Sequence, residues 1–589
     1  MREEAIILTP REQSSQVTNL AKLFRFFGIS HSSSGIAELL SRGESEPSEP
    51  KRLFCSSDIF NQLLGQLDHS TGARLWWQAH VHSVFVYAGS DAAVLQAVLR
   101  KVTGDTGAVM QEAGRSCGEF SVSDGLDEFG GVMAGLRIEA AKLGADTKLA
   151  FYRRSATAAD VISRGSGATL VRASHQEVPV LLSTSAEVID LDCKLPSGLF
   201  DLREHVLTAL PFVLFVKWAF SGSCWHSAEV NACLIIDDPV LKPTDGFLNF
   251  KELLRLTKRH RFSANIAFIP WNWRRSAPEV IRLFRENPDQ LSISVHGCDH
   301  VRAEFGSPDQ QRLHGKAEEA LERMERHEAN TGLRHDRVMV FPQGVFSEAA
   351  MSAIKRTELM AAVNNDTLSA DPSPRAITIA DVWDIAVMRY SDFPLFTRRY
   401  PWEGVENFAF DILLGKPAIS IIHHDYCSDH CQRLVQFVDQ LNALKCEVAW
   451  RSLGEVVRRS CRMREVSPSL VEVEMYASEL RLENRSNHAR TFAVKKRESN
   501  ASAVKNIDAG LSPLSWRVSD GSIEFEIHLK AWESMEIRVR FYPPDVTSRS
   551  EENLSYKFQT MLRRHLCEIR DNYVAKGRFT LESLLKGNH

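Results

Sequence analysis

The stretch Leu234-Ile235-Ile236-Asp237-Asp238-Pro239 joins a short apolar run to two adjacent carboxylates and a proline. A run that short and rich in β-branched residues reads as a buried strand, and the proline ends it. A strand that delivers paired acids into the loop at its C-terminal end points to an α/β barrel, where that rim carries the chemistry. The design recurs. Leu291-Ser-Ile-Ser-Val-His296 runs into Gly297-Cys298-Asp299-His300, Val338-Met-Val-Phe341 into Pro342-Gln343-Gly344, and Ala418-Ile-Ser-Ile-Ile422 into His423-His424-Asp425. Amphipathic helical patterns at Phe250 to His260 and Asp309 to Thr331 fall between these strands, as a barrel with outer helices requires.

A His-x-x-x-His pair, whether on one helical turn or in a tight loop, can present both imidazoles on one side. With one carboxylate, His296 and His300 make a three-ligand set for a divalent metal that leaves a further position to water. Oxygen plus two imidazoles suits zinc, cobalt, nickel or manganese alike. At the strand end Ala264 to Ile269, Trp271 and Trp273 read either as a sugar-stacking platform or as packing against the next helix. A separate cluster, His424, Cys427, His430 and Cys431, has the spacing of half a structural zinc site.

Taken in order, the four strand-end motifs resemble the polysaccharide deacetylase (NodB-homology) family over roughly residues 228 to 460. The resemblance implies a distorted, incomplete (β/α) barrel. It implies Asp238, His296 and His300 as ligands of zinc or a similar divalent ion, Asp237 as the base and a backbone N–H near Gln343 as an oxyanion donor. It also implies His424 as the acid that protonates the departing amine, with the adjacent His423 as the alternative. The chain departs from the family in two motifs. Gly297 stands where Ser or Thr is usual, and Val340-Phe341 occupies the neighbourhood of an Arg that pairs with the base; Arg337 and Arg389 are the substitutes available. Asp381-Val-Trp383-Asp384 is the candidate for the Asp and Trp that support the acid histidine. The activity implied is metal-dependent removal of an N-acetyl or related acyl group from a carbohydrate, such as a surface-polysaccharide precursor. Two alternatives stand beside it: an amidohydrolase on another non-peptide carbon-nitrogen bond, and a non-catalytic carbohydrate-binding or scaffold protein.

At 589 residues the chain exceeds one core. Residues 1–195 read as an open α/β domain with a β-rich extension and no phosphate-binding glycine fingerprint, and 196–227 as a helical linker. The barrel occupies 228–460; five alternating strands within 465–545 suggest a small β-sandwich, a carbohydrate binder or a packing domain; 546–589 is a helical tail carrying Arg563-Arg564-His565 and Arg570. The tail reads as a surface or interdomain helix, and the polar, proline-bearing residues 42–51 as an exposed loop. A net charge of -4 gives no electrostatic case for nucleic acid. The apolar run Ala209 to Val216 meets Lys217 and is too short to span a bilayer, so no integral membrane segment is expected. The first residues lack a signal-peptide core, and eleven scattered cysteines fit reduced thiols, which together suggest the cytoplasm. Oligomeric state is not legible.

Overall fold

The computed structural model describes residues 3–9, 14–41, 50–112, 118–141, 149–153, 157–544 and 554–574. The expected loop at 42–51 falls almost wholly outside them, as do the start of the strand at Thr147 and both ends of the tail. Among the described residues no helix is long and apolar enough to cross a membrane.

An eleven-stranded sheet spans the first part of the chain. Its parallel half runs Ser30–Ser34, Glu4–Leu8, Lys51–Ser56, Val81–Tyr87, and Val178–Ser183 joins in parallel at Val84 to Val86. Beyond that strand the pairing turns antiparallel through Gly167–His175 and Ala159–Arg164. Ser56 caps the following helix by accepting from the Ile59 N–H.

Helix α1 (Val206–Ala219) is apolar on every side and almost entirely buried, because it lies between this sheet and the barrel. Phe212 and Phe215 meet Phe85 and Phe54 at centroid separations of 4.7 and 5.0 Å. One continuous core therefore serves both layers, which accounts for a run that looks membrane-like in sequence.

The barrel strands are β1 (Val230–Asp237), β2 (Ala264–Phe268), β3 (Leu291–His296), β4 (Asp336–Val340), β5 (Ala361–Asn364), β6 (Leu395–Thr397), β7 (Ala418–His423) and β8 (Val448–Trp450). They are parallel in the order β6-β5-β4-β3-β2-β1-β7, with β8 added to the start of β1. The sheet curls until Arg399, just past β6, bridges to Ser420 of β7. Helices α2 (Phe250–His260), α3 (Pro278–Glu286), α4 (Gln310–Thr331), α5 (Glu348–Lys355), α6 (Val405–Leu414) and α7 (Gln432–Asn442) connect the strands. Burial on both faces explains why the strands read as continuous apolar runs. Alternation sorts them: Cys233, Ile235, Val338, Val340, Phe396 and Ile419 form the inner cluster, so Asp237 and Arg398, two residues beyond Ile235 and Phe396, continue the same rows.

Past the barrel, a five-stranded and a four-stranded sheet enclose a core that includes Val473, Leu482, Phe492 and Ile537. The chain then returns to the barrel as α8 (Leu554–Ile569) and a π-helical turn, Arg570–Val574. The polar side of α8 lies over the C-terminal rim of the barrel strands, while Leu554, Phe558, Leu562, Leu566 and Ile569 face solvent.

Candidate metal centre and acid-base site

Asp238, His296 and His300 meet at the C-terminal ends of β1 and β3. Their candidate ligand atoms all lie within 4.8 Å of one another. Asp238 Oδ1 is 3.4 Å from His296 Nε2 and 2.9 Å from His300 Nε2, yet this buried oxygen makes no well-aligned hydrogen bond. His296 Nδ1 lies 3.0 Å from the Val340 carbonyl, which fixes the ring and turns Nε2 toward Asp238. His300 Nδ1 is buried without a partner. These features fit a divalent cation: two imidazole nitrogens and a carboxylate oxygen converge, and an oxygen otherwise left orphaned gains a ligand.

The loop holding the second histidine is irregular. Gly297 and His300 have φ of 61° and 57°, so the motif is a tight loop rather than a helical turn. Glu304 secures it by accepting the backbone N–H groups of Cys298, Asp299 and His300 at 3.0, 2.8 and 3.1 Å. A side chain at Gly297 would collide with Pro342 and with the Glu304 carboxylate, which is the physical reason for glycine where Ser or Thr is usual. Asp238 and Gln343 also hold left-handed backbones, φ 80° and 58°.

Asp237 is buried, and both its oxygens accept from Arg398, Nη1 and Nη2 each at 2.8 Å. Arg398 follows β6, the strand at the far end of the open order. The two substitutes suggested by the sequence are engaged elsewhere: Arg337 pairs with Glu358 and Glu479, and Arg389 with Asp381. Asp381 caps its own helix, Trp383 is packed against Phe26, Phe200 and Phe410, and Asp384 pairs with Arg462, so these residues do not support a histidine at the rim. His424 lines the cavity beside Asp238 and His300. Its Nε2 is 3.7 Å from Asp571 Oδ1, which comes from the turn after α8. His423 is exposed and stands opposite Asp237 in the β1–β7 register.

Burial acts against the charged form of each group, and neighbouring charges oppose it. Burial pushes the Asp237 carboxyl up, but Arg398, His296 and His423 together outweigh it and lower the group from the usual carboxylate value. Burial likewise pushes Asp238 up, and its two imidazoles pull it well below. Burial lowers His300, favouring the neutral ligand form. Burial also acts to lower His424, but Asp571, Asp245 and Asp425 together raise it.

Gln343 lines the same cavity, whose volume is about 230 Å³. Trp271 and Trp273 do not line it. Trp271 packs against His565 and Arg275, and Trp273 against Arg274 and Arg326, so packing accounts for both. An aromatic pair unmarked in the sequence reading lies on the rim instead: Tyr400 and Trp402 stack at 4.2 Å and Trp402 is 62% exposed. The Tyr-Pro-Trp run just after Arg398-Arg399 was the available signal.

A second acidic group, Cys298, Asp299 and Glu304, is already committed. Asp299 accepts from Lys316, Arg323 and Tyr556, and Glu304 from the loop backbone. His424, Cys427, His430 and Cys431 are not among the converging donor groups found in the described residues.

No family model matches the chain and no curated protein matches it. Among solved structures, the T48 deacetylase with substrate aligns over 39% of this chain and 90% of its own, at 13% identity and a TM-score of 0.24. The peptidoglycan deacetylase PdaC from Bacillus subtilis aligns over 39% and 91%, at 13% identity and a TM-score of 0.23. The 4-alpha-glucanotransferase from Thermococcus litoralis aligns over 39% and 40%, at 14% identity and a TM-score of 0.25. Likeness at this level does not select an activity.

Proposed function

We propose that this chain is a metal-dependent hydrolase that removes an N-acetyl or related acyl group from a carbohydrate. The observation that carries the reading is the convergence of Asp238, His296 and His300 on one point, with the Arg398-bound Asp237 and the carboxylate-flanked His424 beside it. A bare ligand triad would suit a structural ion. An added base and acid suit hydrolysis.

Asp238, His296 and His300 would hold a divalent ion, which when bound would supply Lewis acidity toward an amide carbonyl. The chain supplies the proton transfers. Asp237, ionised because Arg398 holds it so, takes the proton of the attacking water. His424, whose carboxylate neighbours raise its pKa and so favour its protonated form, donates to the amine as the carbon-nitrogen bond breaks. Gln343 lines the cavity with a left-handed backbone, in keeping with a loop that offers its N–H to the developing oxyanion.

The test is elemental analysis of wild type and a His296→Ala/His300→Ala variant, with acetate release from an N-acetylated oligosaccharide read on the same samples. About one equivalent of metal in wild type, lost in the variant together with acetate release, is expected. A wild type that binds metal but releases no acetate overturns the hydrolase; one that binds no metal overturns the site.

A further inference from the structure

The cavity wall opposite the metal ligands is built by α8, and its charges do not cancel. Arg275 is taken by Glu568, which also holds Lys242, and Arg570 is taken by Asp571. Asp245 accepts from the Val240 N–H and from Asn572, and burial pushes its carboxyl up toward the neutral form. Two arginines remain. Arg563 and Arg564 both line the cavity, and neither makes an ion pair or hydrogen bond among the described residues. Arg564 is only 9% exposed and its Nε is buried with no acceptor. Its charge is felt at His300.

An unpaired guanidinium is expensive to bury, because desolvation is not repaid by a partner. Its planar donors match the oxygens of a carboxylate or a phosphate. We propose that Arg564, flanked by Arg563, forms an anion-binding subsite within the cavity, and that the carbohydrate bound there carries a carboxylate or phosphate substituent. This rests on the hydrolase reading for its sugar and goes beyond it in naming the substrate's charge. It also gives α8 a role in choosing substrate, since the helix that closes the cavity brings the arginines.

The experiment is calorimetric titration of the full, zinc-loaded chain with N-acetylglucosamine, N-acetylglucosamine 6-phosphate and N-acetylmuramic acid, for wild type, Arg564→Gln and Arg564→Lys. Wild type is expected to bind at least one of the acidic sugars about tenfold or more tighter than the neutral one, the size of a charge-assisted hydrogen bond. That ratio should fall toward one in R564Q and persist in R564K, which keeps the charge if the glutamine variant loosens α8. Preference for the phosphate or for the lactyl carboxylate identifies the substituent. Equal binding of all three sugars by wild type, or an undiminished ratio in R564Q, overturns the subsite. Acetate release is followed separately: release without an anionic preference sinks this inference alone, and preference without release sinks the hydrolase and leaves the subsite standing.

Discussion

Arg398 grips both carboxylate oxygens of Asp237 at 2.8 Å, and the two side chains close the inner rows of the barrel at its C-terminal end. They are buried together, so each is the other's solvent.

Replacing Arg398 with Met strands a buried carboxylate and should cost about 3–5 kcal/mol of stability at neutral pH. The pH dependence gives the sign. In wild type the Asp237 value is depressed, so its contribution is complete above the unfolded carboxylate value of about 3.9 and fades as the pH falls through the folded one. In R398M burial, the largest influence, is opposed only by the charges of His296 and His423, so the carboxyl rises and the folded protein holds a proton that the unfolded chain releases. The deficit relative to wild type should therefore be small near pH 3 and grow toward pH 7. Urea melts at both values test this; the same deficit at both would refute the assignment.

Arg398 also shows what a sequence can and cannot reveal. Strand-end placement made the paired acids Asp237-Asp238 and the pair His296 and His300 visible, because period-two burial and turn residues leave local traces, and the resemblance of the ordered motifs added Gln343 and His424. Arg398 left none: it meets Asp237 only because the sheet curls from β6 round to β7, a closure that local pattern does not encode. Asp571 lies still further along the chain and reaches His424 only through the docking of α8. The apolar run of α1 was legible as too short to span a bilayer, but not as the core shared by two layers. Trp271 and Trp273 drew attention as a platform because a strand end with two indoles looks the same whether the rings face sugar or a helix.

Glu304 holds the loop that positions His300 through three backbone N–H groups. Glu304→Gln keeps the shape but turns an NH2 group toward donors. The loop should relax and metal affinity fall about 10- to 100-fold, the usual scale for groups that orient ligands. Competition with a chelator measures it. Affinity equal to wild type would mean that the loop holds its geometry without the carboxylate.

Asp571 is the largest favourable influence on protonated His424, ahead of Asp245 and Asp425. Asp571→Asn removes that charge, so the histidine should lose its proton at lower pH. If His424 is the acid, the alkaline limb of kcat moves to lower pH while the acidic limb stays in place. His423→Ala should leave the alkaline limb unmoved. A limb that shifts with His423 rather than with Asp571 would transfer the acid's role to the neighbour.

Lys496 offers a test away from the site. Its side chain is buried, donates to the Tyr476 carbonyl and lies near Lys355, whose own partner is Glu498 at 2.6 Å. Burial, and secondarily the charge of Lys355, bring it down to about 7. The unfolded chain binds this proton up to about pH 10.4, so wild-type stability should rise between pH 7 and pH 10 as the unfolded state loses that advantage. Lys496→Met abolishes the titration. Offset by a lost hydrogen bond to Tyr476, it should still gain on the order of 1 kcal/mol at pH 7, with the gain shrinking or reversing by pH 10. Guanidinium melts of both proteins at the two pH values measure the crossing, and a K496M variant less stable than wild type at pH 7 by as much as at pH 10 would show that the lysine keeps its charge when folded.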